Sequence, residues 1–80
     1  MNAKTSFTLR AVNAVIHSVH TTAGDHVGNL KYIGGVWKFK AVGYDANGCV
    51  IPGGGPLTDR HNTRFAAPDA TQVSALFGSA

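Results

Sequence analysis

The residues with the most to do chemically are three lysines set around a glycine pair. Lys31, Lys38 and Lys40 lie in two runs of alternating polar and apolar residues that meet at Gly34-Gly35, and a two-residue glycine loop between such runs is a strong hairpin signal. Folding the runs together pairs Ile33 with Val36, Tyr32 with Trp37, Lys31 with Lys38, Leu30 with Phe39 and Asn29 with Lys40. Like charges directly across a strand pair repel, so they must be splayed, screened or matched by an anion. The plainer role for these lysines is a solvated face that discourages edge-to-edge aggregation.

Two arginines could extend that surface. Arg60 and Arg64 stand in the polar stretch Thr58-Asp59-Arg60-His61-Asn62-Thr63-Arg64, whose side chains either tie a loop to itself or meet a ligand. The expectation is a small, non-enzymatic protein that contacts nucleic-acid backbone through Lys31, Lys38, Lys40, Arg60 and Arg64, reading phosphates more than bases. The alternative is a protein-interaction module or a homodimeric structural protein, because a short chain with a thin core often completes that core with a copy of itself.

Other chemistry finds less support. The four acids, Asp25, Asp45, Asp59 and Asp69, sit where turns and helix caps want an aspartate. Cys49 opens a predicted strand with neither a helix N-terminus nor a flanking cation to lower its pKa, so burial rather than nucleophilic catalysis is expected of it. His17, His20, His26 and His61 lack the companion ligands of a metal motif, and neither metal nor cofactor is expected. Gly53-Gly54-Gly55 lacks the lysine and hydroxyl residue that end a phosphate loop and lies between Pro52 and Pro56, which suits a connector.

Composition bounds the rest. Seven Lys and Arg against four Asp leave a net charge of +3, a mild preference for anionic partners. With 44% hydrophobic and 14% charged residues the chain suits a globular domain. Its length suits one domain over residues 1–80, with an ordered core at 6–78 and flexible ends. A lone cysteine excludes an internal disulfide and points to the cytoplasm. No apolar run approaches a membrane span. The acid-free first 20 residues would also fit a transit peptide, but they read as a folded element.

The elements that must position these residues follow from periodicity. Leu9, Val12, Val15, Ile16 and Val19 fall at the three-and-four spacing of a helix face, which predicts a helix over 7–20, capped by Thr5 or Ser6. The β-branched residues of the same segment support a strand instead. Asp45-Ala46-Asn47-Gly48 suits a turn into a third strand at Cys49-Val50-Ile51. Residues 57–67 admit a short edge strand or a loop. Asp69 caps a final short helix carrying Val73, Leu76 and Phe77 on one side. The expected fold is therefore α+β: an N-terminal helix, a three-stranded antiparallel meander turning at Gly34-Gly35, and a short C-terminal helix. In that order and size it resembles the double-stranded-RNA-binding domain. Where that family opens its last helix with a lysine cluster, however, this chain reads Asp69-Ala70-Thr71-Gln72.

Overall fold

The structure, a computed structural model, describes residues 6–78; Lys4, Thr5 and the ends expected to be flexible lie outside them. The described residues form strands β1 (Phe7–Asn13), β2 (Ile16–Thr21), β3 (His26–Ile33), β4 (Val36–Tyr44), β5 (Val50–Pro52) and β6 (Arg64–Phe65), a 3₁₀ turn at Thr58–Arg60 and one helix, α1 (Ala70–Phe77). All pairings are antiparallel. Strands β1 to β4 form a meander, and the free edge of β4 is shared, its first half by β6 and its last residues by β5. The α+β expectation of three strands between two helices is thus corrected to a six-stranded antiparallel sheet with a single short helix.

The largest correction is the N-terminal helix, which is instead the β1–β2 hairpin. Phe7 and Leu9 point into the core while Thr8 and Arg10 face outward, the two-residue period of a strand. Asn13 then accepts a hydrogen bond from the Val15 N–H through its side chain (2.9 Å), and such an Asx turn reverses the chain. Register slips between Ala11 and Asn13, so Val19 returns to the inward face. Two strands joined by an irregular turn thereby mimic a helical stripe, but Val12 and Val15, which completed that stripe, lie exposed at the turn. Without a first helix the likeness to the double-stranded-RNA-binding domain ends as well.

The β3–β4 hairpin has the expected register, from Ile33 opposite Val36 to Asn29 opposite Lys40, and Gly34 and Gly35 both take positive φ (60° and 84°), as a primed two-residue turn requires. Its apolar face enters the core unevenly. Leu30, Phe39 and Ala41 are buried, Trp37 is half-buried at the rim, and Tyr32 is 48% exposed. Phe39 lies across Gly28, where an added Cβ would come within 2.3 Å of the ring.

Helix α1 closes this face. Asp69 caps it by accepting from the Thr71 N–H (2.8 Å), and Val73 and Phe77, four residues apart, turn inward. Leu76, expected beside them, is exposed. The Phe77 ring meets Phe7, Phe39 and Phe65 edge-on at centroid distances of 6.1, 4.8 and 5.6 Å. Ser74 Oγ accepts from the Phe7 N–H (2.9 Å), tying the helix to β1. The apolar side of α1 is thus filled within the chain.

Beyond β4 the chain turns at Asp45-Ala46-Asn47-Gly48 as expected, with Gly48 in the left-handed conformation (φ 81°). Cys49 is not buried as expected but exposed, just before β5. The glycine connector is more constrained than its composition suggests: an added Cβ at Gly43 would lie 2.5 Å from the Gly55 nitrogen, and one at Gly55 2.2 Å from the Val42 oxygen. Residues 57–67 resolve into the 3₁₀ turn, a tight passage along β4 and the two-residue β6. The Asn62 N–H donates to the Phe39 carbonyl (2.7 Å), and the Phe39 N–H to the Thr63 carbonyl (2.7 Å). Among the described residues no helix is long and apolar enough to cross a membrane.

Candidate functional site

One sheet face carries α1; the other is open, and the strand registers decide what stands on it. Because side chains directly opposite across a ladder share a face, the pairings Ile16 with Lys31, Lys31 with Lys38 and Lys38 with Arg64 line up one row across β2, β3, β4 and β6. A second row runs Arg10, Ser18, Asn29, Lys40 across β1 to β4. A third holds Thr8, His20 and His26. Neighbouring strands are about 4.8 Å apart and alternate residues along a strand roughly 7 Å apart, so five cations share a patch about four strand spacings across, from Arg10 on β1 to Arg64 on β6.

No acid stands on the strands among them. All four aspartates lie outside the strands: Asp25 in the β2–β3 turn, Asp45 in the β4–β5 turn, Asp59 in the 3₁₀ turn and Asp69 at the helix cap. Asp45 is occupied by the N–H groups of Asn47 and Cys49 (2.8 and 2.9 Å). On the open face Lys31, Lys38 and Lys40 are half-buried, and Arg10 and Arg64 are exposed. Lys40 Nζ donates to Asn62 Oδ1, which draws that ammonium toward β6 and away from the Lys31–Lys38 pair. Asn62 holds a positive φ of 73°, which asparagine tolerates better than most residues.

Four of the five expected site residues, Lys31, Lys38, Lys40 and Arg64, therefore meet on one face. Arg60 does not join them: its guanidinium lies over the Phe77 ring, 5.7 Å from the centroid, on the helix side of the sheet. Arg10 takes its place, a residue inside the segment 7–20 for which a helix was expected. The signal that would have found it is the strict alternation of Phe7, Thr8, Leu9 and Arg10.

The histidines are dispersed into structural roles. His17 stands on the helix side with its ring edge-on to Trp37 (5.2 Å). His61 Nδ1 accepts from the Ala41 N–H (3.0 Å), which ties the loop to β4. On the open face Ser18 Oγ contacts His20 Nε2 (2.9 Å), and His20 lies against His26 with centroids 5.1 Å apart. His26 is held at both nitrogens, by the Tyr44 hydroxyl (2.7 Å) and by Asn29 Oδ1 (3.0 Å). Among the described residues no group of three or more His, Cys, Asp or Glu is placed to hold a metal ion.

No protein-family model, curated protein sequence or solved structure matches the chain, so the reading of this face rests on its geometry.

Proposed function

We propose that this protein is a non-enzymatic binder of nucleic acid that holds the sugar-phosphate backbone on the open face of its sheet through Lys31, Lys38, Lys40, Arg64 and Arg10. The observation that carries the reading is the row Lys31, Lys38, Arg64 on three adjacent strands with no carboxylate on any strand of the face. Cations held side by side raise each other's energy, and a line of phosphates is the partner that lowers it along the whole row. Asn29, between Arg10 and Lys40, adds a side-chain amide of the kind that positions a backbone. The free, exposed Cys49 fits a reducing compartment such as the cytoplasm.

The test is binding of labelled DNA and RNA of several sequences to the wild type and to a Lys31→Gln, Lys38→Gln, Arg64→Gln variant. Weakening by a similar factor on every sequence, with the fold intact, supports backbone contact. Equal affinity of the variant and the wild type would refute it.

A second reading, self-association, has its own observation. Val12, Val15, Tyr32 and Ile33 are all exposed at the end of the sheet where the two hairpins turn, and the Tyr32 N–H donates to the Val15 carbonyl there (2.9 Å). Such a patch suits a second copy. Sedimentation at micromolar concentration decides it: a clean 8.3 kDa monomer removes the idea.

A further inference from the structure

The sheet splits at one end. The β3–β4 ladder stops at Gly28 opposite Ala41, yet both strands run on, β3 back to His26 beside β2 and β4 forward to Tyr44 beside β5. The fork between them is a cleft of about 450 Å³. Val27, Val42 and Pro56 give it apolar lining, Pro56 from the connector held against β4 by the close approach of Gly43 and Gly55. The His26–Tyr44 hydrogen bond spans the fork. Lys40, Val42 and Tyr44 alternate along β4, so the rim belongs to the basic face, with Lys40 two and four residues away. Asp25 also lines the cleft, exposed and with no partner for its carboxylate among the described residues. The turn that presents it is fixed: the Asp25 N–H donates to Thr21 Oγ1 (3.1 Å) and the Thr21 N–H to the Asp25 carbonyl (2.9 Å).

We propose that this fork takes a guanine base from a single strand whose phosphates lie on the basic face; the inference rests on the reading of that face given above. The occupant follows from complementarity. Apolar walls and the aromatic rings of Tyr44 and His26 suit a flat heterocycle, and base stacking on such rings is how unpaired strands are held. A duplex keeps its bases stacked inside and cannot offer one to the fork. The single carboxylate, set beside a face otherwise cationic, asks for a ligand that is anionic along one side and a hydrogen-bond donor at its tip. Guanine is the base whose Watson–Crick edge offers two adjacent N–H donors, matching the two oxygens of Asp25 as a bidentate pair. Lys38 and Lys40, roughly 7 Å apart along β4, then meet neighbouring phosphates of an extended strand.

The experiment compares octathymidylate with the same strand carrying one central deoxyguanosine, by fluorescence anisotropy, on the wild type and on Asp25→Asn. In parallel, amide shifts are recorded on adding guanosine or cytidine monophosphate. The expected result is tighter binding of the guanine strand by roughly 5- to 150-fold, the range of a good bidentate base contact. Asp25→Asn, whose side chain makes no contact the fold uses, should abolish that preference while binding octathymidylate like the wild type. Guanosine monophosphate should shift Asp25 and Tyr44 more than its cytidine counterpart. Equal binding of both strands by the wild type, or a preference that survives Asp25→Asn, overturns the guanine site and leaves the backbone reading standing. Shifts at the fork without binding of either strand overturn the backbone reading and, with it, a strand as the source of the base.

Discussion

Replacing Phe77 by alanine should remove the contact that holds the helix to the sheet. The ring is 8% exposed and touches three others edge-on, Phe7, Phe39 and Phe65. Those rings come from β1, β4 and β6, so one side chain fastens the first strand to the last. Truncating a buried phenylalanine costs about 3 to 5 kcal/mol; the upper half of that range is expected, because helix α1 reaches the core only through Val73 and Phe77. A domain of this length has roughly 4 to 12 kcal/mol in total, so the variant should be marginal. Urea denaturation followed by Trp37 fluorescence measures it: the midpoint should fall by roughly 2 to 3 M at an unchanged slope. A fall below about 0.5 M would refute the packing, since the three rings would then hold the sheet without the helix.

Gly28→Ala should be destabilising by about 1 to 3 kcal/mol, because the new methyl would enter the buried Phe39 ring; thermal unfolding reads it, and a neutral result would mean that the ring can move. Lys31→Gln should raise stability by about 0.2 to 1 kcal/mol at low salt by relieving Lys38, and the gain should shrink as salt rises; an unchanged melting temperature at both salt levels would show that the ammonium groups already splay apart. His61→Ala leaves the Ala41 N–H without its acceptor and should cost about 1 to 3 kcal/mol. Hydrogen exchange at Ala41 should accelerate, and retained protection there would contradict the assignment.

The central hairpin was legible because its determinants are local: two glycines free to take positive φ, flanked by residues that match in polarity pair by pair. The Asp69 cap and the Gly48 turn were legible for the same reason. The first twenty residues were not, because a strand, an Asx turn without glycine and a slipped register together place Leu9, Val12, Ile16 and Val19 at intervals that also suit a helix. Only pairing with β3 decides between the two. The lysines fell on their face because alternation places them there, and Arg10 was lost with the misread helix. Arg60 was misplaced because a loop side chain points where distant packing offers a surface, here the Phe77 ring. The fork at His26 and Tyr44 has no local signature at all, since it arises where two strands 15 to 18 residues apart choose different partners.

Backbone binding is tested most directly by the salt dependence of wild-type binding to a single-stranded oligonucleotide. If Lys31, Lys38, Arg64 and one or two of their neighbours contact three to five phosphates, the logarithm of the association constant should fall against the logarithm of salt with a slope of about −2 to −3.5. No retention at low salt, or an affinity indifferent to salt, would mean that the row of cations across β3, β4 and β6 meets only water.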